Sequence, residues 1–126
     1  MRSIPARGAQ KAPPARSYRV HASKTVHAGR PEVFAAWTDA RRRARWLVGV
    51  RLTLLGAVAP RQVRLLCEDD ATEIVVALTA PARGRCRVAV DHRWLAHARM
   101  VAERRHCWKE MLRNLAHHLA GSPRPD

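Results

Sequence analysis

Asp91-His92 is the pair in this chain best suited to proton transfer, because histidine changes charge near neutral pH and a carboxylate beside it can orient the ring. A general acid or base also needs a positioned partner, and the sequence places no nucleophile near this pair. His92 therefore reads as a structural histidine at a strand end, bonded to backbone. The acids Glu68, Asp69, Asp70 and Glu73 have the composition of a hard-cation loop, but such loops space their ligands around a turn glycine, which is lacking here. They read as a solvated turn. Cys67, Cys86 and Cys107 carry zinc-type ligand atoms without CxxC or CxH spacing, so they read as small buried hydrophobes. Cys67 and Cys86 would be close if they faced inward from neighbouring strands. His117-His118 reads as surface near a helix C-terminus, where positive charge is favourable. With no Gly-rich phosphate loop, HExxH or GxSxG, no catalytic residue, metal or cofactor is expected.

The elements that must hold these residues begin with an alternating strand. Tyr18, Val20, Ala22 and Val26 share one parity and Arg19, His21, Ser23 and Thr25 the other, with Lys24 the misfit. Gly29 breaks the strand. Pro31 suits a first helical turn, because the amide hydrogen it lacks would have had no intrahelical partner, and Glu32 adds favourable charge there. Val33, Phe34 and Trp37 recur at helical spacing up to Thr38 and Asp39, and Asp39 can cap a second helix, Ala40 to Arg45.

Between Val48 and His92 the pattern predicts four strands. Val48, Val50, Leu52 and Leu54 share a parity in the first, and Val63, Leu65 and Cys67 in the second. After the acidic turn, Ile74, Val76 and Leu78 face inward, and a hairpin at Pro81 to Gly84 leads into Cys86, Val88, Val90 and His92. From about Ala98 to Ala120, the residues Val101, Trp108, Met111, Leu112, Leu115 and Leu119 recur at three, four and seven, one apolar stripe on a long helix. The expected class is α+β, in the order strand, helix, helix, four strands, helix (β-α-α-β-β-β-β-α).

Three blocks in register, Ala22-Ser23-Lys24-Thr25-Val26, Val33-Phe34-Ala35-Ala36-Trp37-Thr38-Asp39 and Arg43-Ala44-Arg45-Trp46-Leu47, resemble the opening of the SRPBCC superfamily, also called START-like or birch-pollen-allergen-like. Within it they resemble the bacterial relatives of heat-shock-protein ATPase activators. Val88-Ala89-Val90-Asp91-His92 and Trp108-Lys109-Glu110-Met111-Leu112 look like the family's last strand and closing helix, although Ala96 and His97 replace the usual Pro and Asp before that helix. The resemblance covers residues 17 to 120 and implies a helix-grip domain: a curved antiparallel sheet of about five strands on a long C-terminal helix. It also implies a pocket between sheet and helix for a small apolar or amphipathic ligand. The candidate lining is Trp46, Val50, Leu52, Leu65, Ile74, Val76, Val88, Val90, His92, Trp108, Met111 and Leu112, with Trp46 at the mouth. Each of these also suits a plain core, and this short member has few strands with which to enclose a cavity.

At 126 residues the chain supports one domain. Residues 1 to 16 read as a disordered basic arm and 121 to 126 as a disordered tail, with Gly121 suited to ending the helix. No stretch approaches a membrane span and no signal-peptide core is evident, so a cytoplasmic protein is the default. The formal charge is +14, five of it within the first nineteen residues. Arg41, Arg42, Arg43 and Arg45, the hairpin residues Arg83, Arg85 and Arg87, and Arg99, Arg104 and Arg105 on the long helix give the body a basic surface that attracts phosphate backbones or anionic lipid. Arginine outnumbers lysine 21 to 3 in an alanine-rich chain, which points to GC-rich coding, and no aromatic residues interleave with the arginines to stack bases. Weak, salt-sensitive association with nucleic acid or anionic surfaces is the corresponding expectation. The resemblance to ATPase activators also implies, as an alternative, an interaction or accessory module with a chaperone-type partner, and an exposed sheet edge could instead pair with a second copy as a homodimer.

Overall fold

The computed structural model describes residues 17–120. The expected basic arm and tail, with Gly121, lie outside the described residues. Strand β1 (Tyr18–Val26) leads into helix α1 (Arg30–Thr38) and helix α2 (Ala40–Trp46). Four strands follow, β2 (Leu52–Val58), β3 (Gln62–Cys67), β4 (Thr72–Ala82) and β5 (Arg85–Leu95), then helix α3 (Arg99–Ala120). They form one antiparallel sheet in the order β1-β5-β4-β3-β2. The fold class is α+β, as the alternation and helical spacing predict.

Local chemistry sets the turns. The amides of Glu32 and Val33 both donate to the Gly29 carbonyl at 3.1 Å, with Pro31 in the same first turn. Asp39 ends α1 and caps α2, its Oδ1 accepting from the amides of Arg41 (2.9 Å) and Arg42 (3.3 Å). Near the end of β5 an extra residue sits opposite Arg19, and Trp94 takes a positive φ of 67° there, so the strand bulges against β1.

The inner face of the sheet carries Val20 and Val26, Val63 and Leu65, Ile74, Val76 and Leu78, and Cys86, Val88 and Val90, all buried. Trp37, Trp46, Trp108, Leu112 and Leu115 pack on it from the helices. At about 1.5–3 kcal/mol per fully buried large apolar side chain, this layer dominates the stability.

The strand expected from Val48 starts four residues later. Gly49 adopts φ 80°, a left-handed turn that breaks the extended run, and residues 47 to 51 form an irregular connector. Val48 (64% exposed) and Leu54 (41%) are not core residues. Leu54 does pair with Leu65 on the inner parity, but it lies on the edge strand, whereas α1 packs on β3, β4 and β5.

Candidate functional site

A pocket of about 200 Å³ lies where the connector, the far ends of β3, β4 and β5, and the first half of α3 meet. Gly49 and Val50 come from the connector, Cys67, Asp69, Ile74 and His92 from the sheet and its acidic turn, and Arg104, Cys107, Trp108 and Met111 from α3. The four helix residues are spaced i, i+3, i+4, i+7, one face of a helix.

Behind that lining runs a chain of hydrogen bonds whose directions follow from a single donor. The indole N–H of Trp108 can only donate, and it reaches His92 Nδ1 at 2.9 Å. Nδ1 is thus the acceptor, and the ring proton sits on Nε2, 2.7 Å from Thr72 Oγ1. The Thr72 hydroxyl donates to Asp70 Oδ1 at 2.6 Å, and Arg104 donates to Asp70 Oδ2 at 2.6 Å. His92 is 2% exposed. Burial and then the Arg104 charge push its pKa down to about 4, so the ring is neutral above that pH. Burial alone would raise the Asp70 carboxyl, but Thr72 and Arg104 hold it below the usual carboxylate value. The Cys67 thiol is pushed up by burial and then by Asp70, and Cys107 by burial.

Ligand atoms of Cys67, Asp70 and His92 lie within 4.8 Å of one another, a spacing that would suit a metal. The hydrogen bonds oppose one. A metal at Nε2 needs that nitrogen's lone pair, which would move the ring proton to Nδ1 and set it against the Trp108 N–H.

Among the sequence candidates, Val50, Ile74, His92, Trp108 and Met111 line this pocket. Leu65, Val76, Val88, Val90 and Leu112 are buried in the core away from it, and Leu52 lines a shallower groove beside α2. Trp46, expected at the mouth, is 1% exposed; its Nε1 donates to the Ala36 carbonyl at 3.1 Å and its ring meets Trp37 edge-on at 4.7 Å. Those two contacts with α1 hold the ring inside.

Arg43, expected on the basic surface, is buried. Its guanidinium donates to the carbonyls of Trp37 (2.7 Å) and Leu52 (3.5 Å), tying the end of α1 to β2. Arg41, Arg45, Arg83, Arg85, Arg87, Arg99 and Arg105 are exposed, Arg42 is half-buried, and Arg104 is turned into the pocket network.

The acidic stretch is only partly solvated. Glu73 is 5% exposed on the outer face between Arg64 (2.9 Å) and Arg93 (3.8 Å), in an ion ladder that continues through Asp91 to Arg19. Asp70 is half-buried. His92 bonds to side chains, not to backbone. His118 is half-buried rather than on the surface. Cys107 is half-buried too, and Cys67 and Cys86 stand on non-adjacent strands, separated by β4. Sequence reasoning missed Thr72 and Cys67 as site residues, for which no local signal exists. The helical spacing of Arg104, Cys107, Trp108 and Met111 could have shown those four together.

No family model matches this sequence and no curated protein matches it. Solved structures do. CalU16 from Micromonospora echinospora is 17% identical, with 87% of this chain and 86% of that one covered at a TM-score of 0.67. An AHSA1-like protein from Rhizobium etli is 19% identical over 87% and 88% of the two chains at 0.67. The Aha1 dimer from Colwellia psychrerythraea is 13% identical over 79% and 93% at 0.66. The chain shares the α+β helix-grip fold of these structures. In it the long α3 is the grip helix, and the pocket described above lies between that helix and the ends of β3, β4 and β5. No described helix is long and apolar enough to cross a membrane.

Proposed function

We propose that this helix-grip protein binds one small, largely apolar molecule in the pocket between α3 and the ends of β3 to β5, without transforming it. The observation that carries this reading is the pocket itself, about 200 Å³ walled by Val50, Ile74, Trp108 and Met111 at the edge of the buried core. That is room for about seven waters at roughly 30 Å³ each, hence for a small ligand or one end of a larger one. A non-catalytic role is supported by the site's chemistry: both nitrogens of His92 are engaged, and both thiols are shifted away from the reactive thiolate. Native mass spectrometry of protein from its own source should show a small-molecule adduct, lost in Val50→Trp, where the indole has room at the half-exposed rim to grow into the pocket. Absence of an adduct, together with no response to a library of small apolar compounds, would overturn the reading.

A second reading, homodimerisation, is favoured by β2. This edge strand leaves Leu54 (41%) and Val58 (48%) exposed, and one similar structure is a dimer. Sedimentation velocity at high concentration is expected to show a dimer for the native protein and a monomer for Val58→Lys. A native chain that stays monomeric there removes this reading. The exposed arginines support only salt-sensitive, non-specific association with anionic surfaces.

A further inference from the structure

On a chain of formal charge +14 an anionic ligand would be the first expectation, yet the charges around the pocket are already matched. Arg104 is held by Asp70 at 2.6 Å, Asp69 at the rim lies 3.4 Å from Arg51, and His92 is neutral above about pH 4. A charged ligand must either displace one of these partners, leaving a part-buried charge uncompensated, or enter without a counter-charge of its own.

The hydrogen-bonding capacity is equally one-sided. The Trp108 N–H, both His92 nitrogens and the Thr72 hydroxyl are engaged with one another, and both Asp70 oxygens accept bonds. Arg104 lines the pocket and has five N–H donors, of which one is used among the described residues. What these buried groups leave for a ligand is a donor; the one further carboxylate of the lining, Asp69, lies at the exposed rim beside Arg51. The rest of the wall is soft: Cys67, Cys107 and Met111 contribute sulfur-bearing side chains to the same lining as Trp108, surfaces that favour aromatic or other polarisable groups.

Resting on the proposal that this pocket is the binding site, we infer that its ligand is an uncharged, aromatic or similarly unsaturated small molecule that offers one hydrogen-bond acceptor, such as a carbonyl oxygen, to Arg104. An anion or a cation of the same shape is discriminated against.

The test uses three matched probes on the full chain at neutral pH and moderate salt: acetophenone, benzoate and benzylammonium. Binding is followed by the NMR shift of the Trp108 indole N–H and checked for loss in Val50→Trp. Acetophenone is expected to bind at least tenfold more tightly than either ion, and Arg104→Gln should remove most of that preference. Benzoate or benzylammonium binding as tightly as acetophenone at the Val50-sensitive site would overturn the ligand class while leaving the binding site standing. If none of the three moves the Trp108 resonance, or if Val50→Trp leaves their binding intact, the site and the class fall together. Benzoate held by the surface arginines would show as salt-sensitive shifts away from Trp108 and would count against the class only if it also occupied the pocket.

Discussion

Between pH 6.5 and 4 the protein is expected to lose about 3 kcal/mol of stability through His92 alone. The ring titrates near 6.5 in the unfolded chain and at about 4 when folded. Above 6.5 neither state binds the proton, so the stability is fully present. As pH falls from there the unfolded state takes up the proton while the folded state does not, and stability declines until both are protonated near pH 4. Each unit of separation is worth about 1.4 kcal/mol.

The cause is burial first and the Arg104 charge second, and the donor order in the network acts in the same direction. Protonated His92 would carry a second N–H facing the Trp108 N–H, so charging the ring costs that hydrogen bond. His92→Gln keeps an acceptor and a donor without titrating in this window. Urea unfolding at several pH values should therefore show a steep decline for the native chain and a much flatter one for His92→Gln. Asp70 and Asp91, whose carboxyl pKa values are also held low, contribute their losses below this window. His118, lowered by burial and then by Arg42 and Arg45, is present in both proteins and leaves their difference unchanged. Parallel declines in the two proteins would refute the assignment.

Trp46→Ala is expected to cost about 3–5 kcal/mol, a large share of the roughly 5–15 kcal/mol that holds a domain of this size folded. The indole is fully buried, meets Trp37 edge-on, and satisfies the Ala36 carbonyl. Truncation would open a cavity at the joint of α1 and α2 and leave that carbonyl without its donor. Trp46→Phe should cost less, since it keeps a ring in place and loses chiefly the hydrogen bond. Were Trp46 a pocket-mouth residue, as its place in the sequence suggests, the alanine variant would change stability by no more than about 0.5 kcal/mol and alter ligand binding instead. Chemical unfolding of the three proteins separates the two outcomes.

Residues that answer to their immediate neighbours were legible from the chain alone. The alternation around Val20 and Val26, Pro31 in a first turn, Asp39 as a cap and the Trp108 to Leu119 stripe each follow from backbone sterics and periodicity acting over a few residues, and together they determined the order of elements and the helix-grip class. The misreadings lie where exposure depends on a distant surface. Leu54 has the right parity but no helix above it, Arg43 is drawn inward by two carbonyls from other elements, and Glu73 is covered by arginines from neighbouring strands. The candidate site is the extreme case. Cys67, Thr72, His92, Arg104 and Trp108 come from three strands and a helix, and the proton on His92 is placed by an indole sixteen residues away in sequence. Periodicity told which face His92 occupies; only the crossing of α3 over the sheet decided what it meets there, because contact between remote segments is set by packing, to which no local spacing rule refers.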